Sequence, residues 1–132
     1  MNAYERLSQA TDAKGRSFEI HKIHQPEPLY VSEEETAGVD QAESWKQRSA
    51  GDRLPASYMN FYIANGGIIA PTFTSPYDRV ALETLQQLFP DRKVVGVPGR
   101  EILLGGGNIH CIVQQQPRGA LCRSIPENAQ AL

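Results

Sequence analysis

Three glycines, Gly105, Gly106 and Gly107, run through Asn108 and Ile109 into His110 and Cys111, and Cys111 is one of only two cysteines among 132 residues. A cysteine attacks as its thiolate, so it needs a partly exposed and electropositive setting. Glycines beside it serve that chemistry in two ways: they adopt φ values closed to other residues, and they leave bare backbone against which a flat polar ligand can lie. The same run also fits a tight turn ahead of an apolar strand, and taken alone the residues leave both readings open. His110 is not the obvious base for Cys111, because neighbours on a strand point to opposite faces. His21 and His24, in FEIHKIHQPEP, are the other histidines, and the alternation there sends them to opposite faces as solvated or hydrogen-bonded surface groups. Cys111, Cys122 and the three histidines show neither CxxC nor HExxH spacing, so no metal site is expected.

The elements that must position Cys111 are legible in outline. Residues 2–13 place Tyr4, Leu7 and Ala10 at helical spacing, with a stop near Lys14-Gly15. Ser17 to Ile23 alternates like a half-buried strand that Pro26 and Pro28 close. Ser32 to Arg53 is polar and reads as a surface loop with some helix, Trp45 serving as a packing anchor. ASYMNFYIANGGIIA, residues 56–70, is rich in β-formers around Asn65-Gly66, which predicts a hairpin with a type I′ turn. YDRVALETLQQLF puts Val80, Leu82, Leu85, Leu88 and Phe89 on one helical stripe, with Ser75 as N-cap and Pro90 as stop. KVVGVPG reads as a short buried strand, and EILLGGGNIHCIVQQ as a turn or short helix entering a final strand. The order is β-β-α-β followed by the start of another repeat, with a frayed tail, SIPENAQAL, over 124–132.

Composition narrows the classes. The 132 residues, 40% hydrophobic, suit one compact α/β domain. A formal net charge of −2 offers no broad positive field, which argues against nucleic acid as a partner. No apolar stretch is long enough to span a bilayer and the N-terminus is polar, so the expectation is a cytoplasmic protein with reduced cysteines and no membrane partner.

The run REILLGGGNIHCIVQQQP closely resembles the C-terminal signature of agmatine deiminases, members of the guanidine-modifying superfamily with the pentein fold. The resemblance extends through ERLSQATDAKGRSFEIHKIHQP, RLPASYMNFYIANGGIIAP and PDRKVVGVPGREILLGGGNIHC, covering roughly residues 3–120. It implies a partial pentein: about two of the five ββαβ-type modules of an α/β propeller, with residues 1–120 the C-terminal part of the domain and 121–132 a tail. It implies hydrolysis of agmatine to N-carbamoylputrescine and ammonia, a step toward putrescine in polyamine metabolism. No cofactor is called for. Cys111 matches the attacking residue, and Gly105, Gly106, Gly107 and Asn108 beside it are the candidate substrate-binding residues, a floor of bare backbone.

The family's histidine and guanidinium-binding aspartates match no residue of this chain. Asp52, Asp78, Asp91 and Glu101 lie near the matching region without corresponding to those carboxylates; Asp78 reads as a helix N-terminal charge and Glu101 as structural. The expectation is therefore the nucleophile-bearing part of such an enzyme, inactive alone. Unpaired sheet edges and apolar module faces would favour a homo-oligomer or a complementing chain. A non-catalytic binding or structural module is the alternative, and a deiminase of peptidyl arginine assembled across an oligomer interface a third. A sulfur sealed in a dry interior would remove the basis for the first.

Overall fold

The computed structural model describes residues 2–38 and 48–116. The Trp45 anchor, Cys122 and the tail over 121–132 lie outside the described residues. The first helix, α1 (Ala3–Gln9), opens on a reciprocal cap in which the Asn2 side chain accepts from Glu5 N–H and the Glu5 carboxylate accepts from Asn2 N–H. It stops short of Lys14 because the Asp12 carboxylate takes the N–H groups of Lys14 and Arg16 at 2.8 and 2.9 Å and builds a turn instead. The stretch from Ser17 to Ile23 is not a strand: only an isolated bridge between Thr11 and Ser17 forms, and alternation without a neighbouring strand to pair with yields extended chain. The short helix α2 (Glu33–Ala37) begins on a second reciprocal cap, between Ser32 and Glu35.

The hairpin, helix and strand that follow arrive in the expected order. β1 (Tyr62–Ile63) pairs antiparallel with β2 (Gly67–Thr72), and β2 pairs in parallel with β3 (Lys93–Pro98), giving a three-stranded sheet in the order β1-β2-β3. The turn is not type I′, since neither Asn65 nor Gly66 has a positive φ. Its shape answers to the third strand: Gly66 O accepts from Lys93 N–H at 3.1 Å, and Ala64 O from Arg92 Nε at 3.4 Å.

The crossover from β2 to β3 is α3 (Asp78–Leu88), which buries Ala81 and Leu85 and ends at Phe89, ahead of Pro90. Ser75 is not its N-cap; Tyr77 occupies that position, and Ser75 Oγ accepts from Tyr77 N–H while donating to Glu27. The helix start is fixed from Asp78, whose carboxylate accepts from Phe73 N–H, Ser75 N–H and, at 2.6 Å, Tyr58 Oη–H. Leu82 packs onto β3 so closely that a Cβ on Gly96 would lie 2.9 Å from its Cδ1.

β3 forms where expected but is not buried. Val95 and Val97 keep 40% and 37% of their surface, because β3 is an edge with β2 on one side only among the described residues. Its end leads into α4 (Arg100–Leu104), and the anticipated final strand is instead a 3-10 turn over Ile109–Ile112. Asn108 explains the change: its side chain accepts from Ile109 N–H at 2.9 Å and caps that turn. The core is formed by Val31, Leu54, Tyr58, Phe73, Ala81 and Leu103, with Ile23, Leu29, Ala56 and Leu104 against it. Burying these side chains, each worth about 2 kcal/mol for a large aliphatic, ties the loops before β1 to α3 and α4. Among the described residues no helix is long and apolar enough to cross a membrane.

Candidate active site

Two loops converge at the sulfur. One is the segment before β1, anchored by Tyr58, which is 1% exposed and held by Asp78. The other follows α4, whose first residue, Arg100, forks onto the Glu35 carboxylate at 2.7 and 3.0 Å and donates to Tyr30 O at 2.9 Å. The Arg100 guanidinium beside Glu35, then the Ser32 N–H, draw that carboxyl down to about 2. Asn108, also 1% exposed, donates from Nδ2 to Gly99 O at 3.0 Å and fastens the far end of the glycine run.

Cys111 is exposed. Its backbone N–H closes the 3-10 turn on Asn108 O at 2.8 Å, and its Sγ accepts from Asn60 Nδ2 at 3.3 Å. The orientation of the Asn60 amide follows from its other face, where Oδ1 accepts from His110 N–H at 2.9 Å and leaves the NH₂ toward the sulfur. The Asn60 amide, and next the backbone of Asn108, hold the thiol's pKa below its ordinary value by stabilising the thiolate. The interior is therefore not where the sulfur sits; it lies in the open beside a donor.

Gly105 ends α4, Gly106 takes φ +97, and Gly107 lies against Cys111. Arg48 brings its Nη2 to 3.4 Å from where a Cβ on Gly106 would sit. Asn108 is turned inward, so the loop's outward face is backbone. His110 lies in a 3-10 turn and not on a strand, so the opposite-face argument does not apply to it. It joins Ser57, Met59 and Asn60 around a cleft of about 350 Å³. His21 Nε2 lies 2.9 Å from the Glu19 carboxylate and His24 stacks on Tyr77, the surface roles expected of them. Asp78 anchors the start of its helix as anticipated and also satisfies Tyr58; Asp52 accepts from Ser49 N–H.

Asn60 is the side chain at the thiol that sequence reasoning missed. An asparagine just ahead of a strand reads as a turn residue, and nothing in its spacing announces a partner 51 residues away. Among the described residues no group of three or more His, Cys, Asp and Glu is placed to hold a metal ion.

The chain matches the Porphyromonas-type peptidyl-arginine deiminase family over residues 1–117. It is 60% identical over 111 residues to agmatine deiminase of Ectopseudomonas mendocina, covering 84% of this chain and 30% of that protein. It is 58% identical over 115 residues to agmatine deiminase of Pseudomonas fluorescens, covering 87% and 31%. In three dimensions it superposes on agmatine deiminase of Enterococcus faecalis with a TM-score of 0.80 and 46% identity, over 88% of this chain and 32% of that one. The chain thus spans about a third of the length of these relatives. A match that runs through the thiol loop, the hairpin and the N-terminal segment places the chain in the Porphyromonas-type peptidyl-arginine deiminase family.

Proposed function

We propose that this chain carries the nucleophile of an agmatine deiminase, with Cys111 as the attacking residue and the backbone of Gly105–Asn108 as the floor under a planar guanidinium. The observation that carries the reading is the exposed sulfur held by a side-chain amide at 3.3 Å beside a bare glycine. Sγ adds to the guanidinium carbon, forming a C–S bond. Protonation of one nitrogen releases ammonia, and water then breaks the C–S bond to give N-carbamoylputrescine and the free thiol. A soft thiolate suits a carbon whose positive charge resonance spreads over three nitrogens.

The histidine that moves those protons and the carboxylates that fork onto the cation are proposed to come from polypeptide outside these 132 residues or from a partner chain. The same reading makes the described part roughly one ββαβ module and the start of another in a pentein. It also predicts a homo-oligomer or a complementing chain over the open edge of β3 and the exposed Ile63, Val95 and Ile112. A cytoplasmic setting that keeps Cys111 reduced belongs to the same proposal.

The test is ammonia and carbamoylputrescine release from agmatine, measured for the pure chain and for the chain mixed with the upstream two thirds of a relative. Release that Cys111→Ala abolishes supports the proposal. No release in either case, with Cys111 alkylating no faster than Cys122, would leave a non-catalytic module that has kept part of the fold. A monomer by sedimentation at micromolar concentration would defeat the oligomer.

A further inference from the structure

We infer that Gly107 is also a positioning residue for the nucleophile: its missing side chain is the space in which the Cys111 sulfur stands. The inference rests on the proposed nucleophilic role of Cys111. A Cβ built on Gly107 would lie 2.6 Å from Cys111 Cβ and 2.8 Å from its Sγ, closer than real Cβ contacts come. The far end of a flexible chain could swing away, but Cys111 has one rotatable bond, and its backbone is tied by Cys111 N–H to Asn108 O. Any side chain at 107 therefore moves Sγ off the Asn60 Nδ2 contact.

The three glycines then differ in what an added side chain would meet. At Gly105 the nearest atom to an added Cβ is Ile102 O at 3.4 Å and φ is −75, so alanine fits. At Gly106 φ is +97, which alanine resists whatever the space. Only Gly107 is bare because of the thiol. The titratable and charged groups on this turn are His110, next to Cys111 in the chain, and Arg48, against Gly106; substitution at 107 removes neither.

The experiment makes Gly66→Ala as a control, since an added Cβ there meets nothing within 4 Å, together with Gly106→Ala and Gly107→Ala in the full chain, and Gly107→Ala again with Cys111→Gly. Two quantities are read: the rate of Cys111 alkylation by iodoacetamide against pH, and the melting temperature. Gly66→Ala should match the parent in both, and Gly106→Ala should melt lower. Gly107→Ala should slow alkylation at neutral pH by about tenfold or more and move its midpoint up toward an ordinary thiol. Its melting penalty should disappear in the Cys111→Gly background, where the clashing atoms are gone. A Gly107→Ala protein that alkylates like a fast-reacting parent overturns the inference, as does a melting penalty equal in both backgrounds. If the parent's Cys111 already reacts no faster than Cys122, the nucleophile reading fails, and the placement of the sulfur by Gly107 is decided by the melting comparison.

Discussion

Replacing Asp78 by alanine should loosen the site from a distance of two loops. The Asp78 carboxylate takes Tyr58 Oη–H at 2.6 Å and Phe73 N–H at 3.1 Å, and both of those residues are buried. With the carboxylate gone, the Tyr58 hydroxyl and the Phe73 N–H lose their acceptor at a part-buried site, each costing about 1–3 kcal/mol. The sum is about 3 kcal/mol, a large share of the stability of a domain this size. At about 3–5 °C per kcal/mol, melting should fall by roughly 10–15 °C. Asp78→Asn, which keeps one carbonyl acceptor, should lose about half as much. A double-mutant cycle isolates the cause, because Tyr58→Phe removes one stranded donor and should therefore cost less in the Asp78→Ala background than alone. Tyr58 is two residues from Asn60, so the Asp78→Ala protein should also alkylate Cys111 more slowly. Urea unfolding followed by circular dichroism measures the first effect. A loss under about 0.5 kcal/mol, or strict additivity with Tyr58→Phe, would refute the reasoning.

Two further outcomes test the site and its support. Asn60→Asp keeps the acceptor for His110 N–H and replaces the donor to Sγ with a negative charge, so the midpoint of Cys111 alkylation should rise by at least a unit, about tenfold in thiolate at neutral pH, with melting little changed; an unmoved midpoint would mean the amide serves only the loop. The Glu35 carboxyl, near 2 in the folded chain against an ordinary 4.5, contributes stability that is complete above about 4.5 and lost as pH falls toward 2. Arg100 is partly exposed, so the pair is worth about 1 kcal/mol at most, and Arg100→Ala should flatten that acid limb of a melting-temperature profile.

The order hairpin, helix, strand was legible because each piece rests on local chemistry: β-formers around Asn65-Gly66, a 3.6-residue stripe between Pro76 and Pro90, and a short apolar run after it. The segment over Ser17–Ile23 misled for the opposite reason, since an alternating pattern states a preference and a strand requires a neighbour. KVVGVPG misled in the same way about burial: the apolar run is real, but among the described residues only β2 lies beside it.

Sequence alone singled out Cys111 as the proposed nucleophile, because a thiol behind three glycines and the resemblance that includes it both lie in the covalent order of the chain. Only the tertiary structure decided how that sulfur is held. Asn60 lies 51 residues away and meets Sγ only after Tyr58 is buried against Asp78 and α4 is pinned by Arg100. Asn108 chose a 3-10 turn over a strand because its amide found Gly99 O and Ile109 N–H together. Such contacts depend on distances between residues far apart in the chain, and those distances exist only once the core has closed.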